Sequence, residues 1–138
     1  MSQITEGLRI RGEIIVEEIN PKTQEVVSRE VGENIICITG AEAMAAALTT
    51  GTMTEFNYMI ISEDVAAVAR ASVTLPGTFK YKSTVITPTV TGSITTWVHT
   101  FASGGSPVIW KFGMGATDST AANIWNEYKF SEIGRAHV

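Results

Sequence analysis

The sequence predicts an all-β domain: an antiparallel sandwich of jelly-roll or immunoglobulin-like type, with one short helix near residues 40–50. Three observations carry this expectation. Residues 8–19 alternate apolar and polar side chains with a period of two. From Ser72 onward, short β-prone segments are separated by glycine and proline turns. Between these regions lies a single alanine-rich stretch, Ala41 to Leu48, followed by Gly51.

Along 8–19, Leu8, Ile10, Ile14 and Val16 fall on one face, and Arg9, Arg11, Glu13 and Glu17 on the other, with a bulge expected at Gly12. Asn20-Pro21-Lys22-Thr23 reads as a turn, and 25–31 returns as the second strand of a hairpin. The nearly continuous apolar run 34–39 suits a strand buried on both faces. Thr39 and Glu42, three residues apart, form a candidate capping box that opens the helix, and Gly51 stops it. Met44, Ala47 and Leu48 share the helix face expected to lie on the sheet. Residues 56–62 read as a strand, and Asp64 as the cap of a short helical turn over 65–70. Strands are then expected at 73–75, 79–86, 93–101, 107–114 and 123–133. No repeat or linker divides the chain, so 1–138 reads as a single domain, with the hairpin 8–31 available as an interface arm.

Composition excludes several function classes. The chain has 138 residues and a net charge of −4, without a basic run, which disfavours binding to nucleic acid through phosphate contacts. A single cysteine, Cys37, rules out an internal disulfide or a four-cysteine zinc site, and two histidines, His99 and His137, give a metal centre little to work with. The apolar stretches are too short to span a bilayer, and Met1–Glu6 has neither the positive nor the apolar part of a secretory signal; synthesis in a cytoplasm is expected. Charged residues make up 17%, below the ~25% usual for soluble domains, while threonine occurs eighteen times. Such a surface is compatible either with an ordinary β protein or with a protomer covered by its neighbours. Residues 1–64 carry eleven acidic and four basic side chains; residues 65–138 carry three and six. The two halves can complement each other between copies or neutralise each other within one chain.

Catalytic signatures are lacking. Cys37 sits in an apolar run, where a thiol is usually a small buried hydrophobe. There is no G-x-S-x-G elbow, and Gly113-Met114-Gly115 lacks the rest of a phosphate loop. Glu17-Glu18 point to opposite faces of a strand, and Glu63-Asp64 read as a solvated turn rather than a calcium site. No catalytic, cofactor-binding or metal-binding residue is therefore assigned. Alternation places Trp97, His99 and Phe101 on one strand face; with Trp110 and Trp125 they are the candidates for an interface or a ligand platform, against the plainer reading that they pack a core.

One resemblance runs through the order of the elements. A hairpin over 14–27 (IIVEEINPKTQEVV) is followed by ENIICITG (33–40), a short alanine-rich helix, FNYMIIS (56–62) and a threonine-rich β region. Over residues 14–101 this resembles a group of small tailed-bacteriophage virion proteins. The chain departs from that group at Ser62-Glu63-Asp64, where a G-T-G type turn is common, and residues 102–138 find no counterpart. The resemblance implies a non-enzymatic virion structural protein without cofactors. A capsid decoration or cement protein is expected first, and a tail, baseplate or fibre component second. Its partners would be copies of itself and other virion proteins, the major capsid protein or tail proteins, and neither nucleic acid nor membrane. From a different class, a carbohydrate-binding module using exposed aromatics remains open, and a small hydrolase is the third reading.

Overall fold

A computed structural model of the chain describes residues 11–51, 55–72, 74–77, 80–101, 109–116 and 123–130. The elements run β1 (Glu13–Ile19), β2 (Val26–Glu33), β3 (Ile35–Ile36), α1 (Ile38–Thr50), β4 (Tyr58–Ser62), β5 (Lys80–Lys82), β6 (Thr89–Thr91), β7 (Ile94–Thr96), β8 (Lys111–Gly115) and β9 (Ile124–Lys129). The described strands pair antiparallel throughout: a β1–β2 hairpin, a five-stranded sheet ordered β3-β9-β8-β4-β5, and a β6–β7 hairpin. Over the described residues the protein is thus all-β with one helix. A jelly-roll or immunoglobulin-like sandwich requires two facing sheets; the described residues supply one sheet and two hairpins, so they do not confirm the sandwich.

The β1–β2 register follows from the alternation. Ile14 faces Gly32 and Val16 faces Glu30 on one side, while Ile15 faces Val31 on the other. The turn is pinned by Asn20, whose Oδ1 accepts from the amides of Lys22 (2.9 Å) and Thr23 (3.3 Å). Ile14 is buried and Val16 half-buried, as the sequence predicts; Leu8 and Ile10 lie outside the described residues. This inner face docks on the sheet through Tyr128. The phenol of Tyr128 donates to Glu30 Oε2 at 2.5 Å, and a Cβ at Gly32 would collide with the same Oη. Only glycine admits that approach.

Pairing partners in a sheet share a face. One face of the five-stranded sheet carries Met59, Ile61, Tyr81, Phe112, Met114 and Tyr128. It packs with Ile14, Phe56, Ile109 and Phe130 into the larger core. The opposite face carries Ile60, Ser62, Lys111, Gly113 and Glu127. A smaller core of Cys37, Ile60, Leu75 and Ile124 lies there, and a register shift at Met114/Gly115 brings Ile124 opposite Gly115. The chain after β4 holds to this second face: Ser62 Oγ donates to the Pro76 carbonyl at 2.6 Å, and Leu75 is fully buried.

Several local expectations need correction. The run 34–39 is not one strand: pairing covers Ile35 and Ile36, and the helix begins at Ile38. Thr39 and Glu42 form no capping box. The N-cap is Cys37, in extended backbone, and it makes no side-chain cap. The amide of Ile38 instead donates to the Arg70 carbonyl at 2.7 Å, and that of Cys37 to the Trp125 carbonyl at 2.8 Å, so backbone from elsewhere in the fold holds the first two amides of the helix start. Gly51 ends the helix as predicted, in the left-handed conformation. Leu48, expected on the sheet, is 67% exposed; Ala43 packs against the larger core, while Met44 and Ala47 are half-buried. Residues 65–70 form no helix, and the strand expected at 93–101 is confined to β7.

The helix approaches β9 at Gly40. A Cβ there would lie 2.5 Å from the Trp125 carbonyl oxygen and 2.6 Å from the Trp125 Cβ. Helix propensity alone favours alanine by about 1 kcal/mol. Overpacking against fixed backbone costs about 1–3 kcal/mol. Gly40→Ala should therefore lower the thermal unfolding midpoint, and an unchanged or raised midpoint would contradict the close approach.

Candidate functional site

The chemistry of the molecule gathers on the second face of the sheet. Lys111 on β8 is fully buried. Its Nζ stands 2.7 Å from Asp64 Oδ2 and 2.7 Å from Glu127 Oε1. Glu127 on β9 is also fully buried, and Asp64 is 22% exposed at its side chain. The sheet explains the convergence. Glu127 pairs with Gly113, two residues from Lys111 on the same face, so the two side chains are diagonal neighbours. Gly113 has no side chain to separate them. Asp64 arrives two residues beyond Ser62, which pairs directly with Lys111.

Surrounding groups hold the triad in place. Glu127 Oε2 accepts from the Ala69 amide at 3.4 Å, tying the covering segment to β9. Two carboxylates and one ammonium leave this interior with a formal excess of one negative charge. Burial pushes the pKa of Lys111 down, but the hydrogen bonds its ammonium donates to Asp64 and Glu127, and their charges, outweigh it, so the value stands above that of an ordinary lysine. The sequence missed this site because its members come from three distant segments. A signal was present: Lys111 follows Ile109-Trp110 and precedes Phe112 in IWKFGMG, and Glu127 lies inside the β-prone segment IWNEYK.

Cys37 borders the triad. Its thiol is buried, donates to the Ala69 carbonyl at 3.8 Å, and has its pKa raised to about 11 by burial and by the charge of Glu127, with Arg70 opposing. Tyr128, on the other face, is raised to about 12 by burial and by its bond to Glu30. Both groups are held neutral in the fold, while in the unfolded chain they ionise near their ordinary values of 9.0 and 10.0. Their contribution to stability is complete below pH 9. It declines as the unfolded thiol and then the phenol ionise, and is lost as pH passes about 11 and then 12. Urea midpoints measured from pH 8 upward should fall over that window, and a flat profile would contradict it. Cys37 should also react with thiol reagents only when the fold opens.

The aromatic candidates gather elsewhere. Trp97, Phe101 and Trp125 are half-buried against the larger core. Trp125 lies 6.1 Å from both Phe56 and Trp97, and Trp97 Nε1 donates to Asn57 Oδ1 at 2.9 Å. His99 meets Phe101 edge-on at 4.6 Å. The burial of Trp97, His99 and Phe101 still alternates with exposed Val98 and Thr100, although β7 has ended. Trp110 is half-buried and bonded through its backbone to Ser62 and Phe130. Helix residues Thr39 and Glu42 belong to neither cluster, and His137 lies outside the described residues. A cleft of about 310 Å³ lined by Arg11, Glu33, Asn34 and Arg70 lies at the foot of the β1–β2 hairpin, with Arg11 paired to Glu33.

Comparison with known proteins returned no match: no family model, no curated protein and no solved structure is similar to this chain. Among the described residues, no helix is long and apolar enough to cross a membrane.

Proposed function

We propose that this protein is a non-enzymatic structural component of a tailed-bacteriophage virion, and that it serves as a capsid decoration or cement protein. A tail, baseplate or fibre position is the competing location. The observation that supports this reading is the apolar surface on the outer faces of the two hairpins. On β1–β2, Ile15 (49% exposed) lies beside Val31 (51%), with Val27 at 58%. On β6–β7 every residue is exposed, including Val90 and Ile94. Apolar surface of this kind gains about 25 cal/mol per Å² when covered and needs no charge to be stripped of water.

The charge distribution agrees with this use. Glu13, Glu17 and Glu33 frame the Ile15–Val31 pair, with Glu17 paired to Arg29 and Glu33 to Arg11, so this face keeps a small acidic excess, while the sheet carries exposed Lys129. Copies meeting head to tail would bring opposite charges together, aiding encounter more than final affinity. Each contact with the shell would add stability by mass action.

Sedimentation of the purified protein over a concentration series, beside a glycan-binding panel, tests the reading. Association that rises with concentration, with no glycan bound, is expected. A strict monomer that binds glycans would instead support a carbohydrate-binding module built on Trp97, His99 and Phe101.

A further inference from the structure

We propose that Lys111 and Asp64 join in an intramolecular isopeptide bond, formed by the folded chain itself with Glu127 as the catalytic acid and base. The inference stands on the buried triad alone and does not depend on a virion role.

The geometry is that of a nucleophile, an acyl group and a proton carrier already assembled. Nζ of Lys111 lies 2.7 Å from Asp64 Oδ2, which places it against the carboxyl whose carbon it would attack. It lies equally close to Glu127 Oε1. Asp64 is the acyl partner because Glu127 is anchored: its second oxygen receives the Ala69 amide, and its backbone is fixed mid-strand between β8 and β3. Asp64 sits two residues past the end of β4, outside the strand ladder, and its side chain is 22% exposed, so its carboxyl is held by fewer contacts than that of Glu127.

The reaction balances without an outside reagent. The ammonium of Lys111 gives one proton to the Asp64 carboxylate, leaving a neutral amine and a neutral acid. The amine lone pair attacks Cγ of Asp64 and a C–N bond forms. Glu127 takes a second proton from Nζ and delivers it to the departing hydroxyl of Asp64, the C–O bond breaks, and one water leaves. Glu127 ends as it began, a carboxylate. The net charge of the site is unchanged, while an ammonium and a carboxylate are replaced by a neutral amide.

Two physical effects favour the reaction here and not in water. Held in contact, reacting groups behave as if present at effective concentrations of about 10⁵–10⁸ M. The product amide carries no charge, so bond formation removes an ammonium and a carboxylate from a site on the face that buries Ile60, Leu75, Cys37 and Ile124. The bond would fasten the segment after β4 to β8, closing a covalent loop across the second face of the sheet.

Intact-mass spectrometry of the purified full-length chain is the test. The protein should weigh less than its sequence by the mass of one water. Tandem spectra of a digest should show a branched peptide joining Lys111 to Asp64, with no tryptic cleavage at Lys111. Glu127→Gln, shown to be folded by its near-ultraviolet circular dichroism, should keep the full sequence mass. Asp64→Asn should react with loss of ammonia in place of water. A wild-type chain that retains its full sequence mass after prolonged incubation overturns the proposal whatever the variants do. So does a lost water mapped to any other residue pair, or a folded Glu127→Gln that still forms the bond.

Discussion

Lys111→Met should destabilise the fold by about 3–5 kcal/mol, the usual cost of removing one partner from a buried ion pair. Methionine fills much of the lysine's volume, so the loss is electrostatic rather than a cavity effect. Without the ammonium, Glu127 is fully buried facing Asp64 with no cation between them. For a chain of this size the unfolding midpoint should fall by roughly 10–20 °C. The expectation holds whether the site is ionic or bonded, since methionine can do neither. A thermal midpoint within a few degrees of the wild type would mean that the triad does not organise the second face.

The second large effect concerns assembly. Ile15→Lys combined with Val31→Glu replaces the apolar pair on the outer hairpin face with an ion pair across the same strands. Both side chains are about half exposed, so the fold should change by no more than about 0.5–1 kcal/mol. If this face is an interface core, each substitution should cost about 2 kcal/mol or more of binding, about thirtyfold in affinity. The double variant should melt like the wild type yet lose its self-association. Retained association with an intact fold would move the interface away from β1–β2, to the β6–β7 hairpin or elsewhere.

The parts of the fold legible in the sequence are those built from local pattern. The alternation through Ile14 and Val16 set the hairpin and its inward face, and Gly51 set the helix end, because a period of two and a left-handed residue are properties of a few neighbouring positions. The N-terminus of the helix was misread for the opposite reason. Thr39 and Glu42 match a capping box, but the helix already begins at Ile38, because the amides of Cys37 and Ile38 are held by the carbonyls of Trp125 and Arg70, which only the tertiary fold brings there. The same holds for the site. Asp64, beside Glu63 in a turn-like sequence, looked solvated; its partner Lys111 is 47 positions away and Glu127 a further 16. Spacing cannot announce such a meeting, although a charge opening β8 and another inside β9 could have raised it. Cys37 was legible as a buried thiol because its surroundings in sequence, Ile35 to Ile38, are already apolar.

Mixing the purified protein with phage shells that lack it, and sedimenting the mixture, tests the proposed structural role on a phage particle. The protein should travel with the shells at micromolar concentration and saturate at a fixed number of copies, added salt should slow this binding without abolishing it, and the Ile15→Lys, Val31→Glu variant should stay in the supernatant. Protein that stays wholly in the supernatant with heads, tails and complete particles alike would rule out a structural role on the particle.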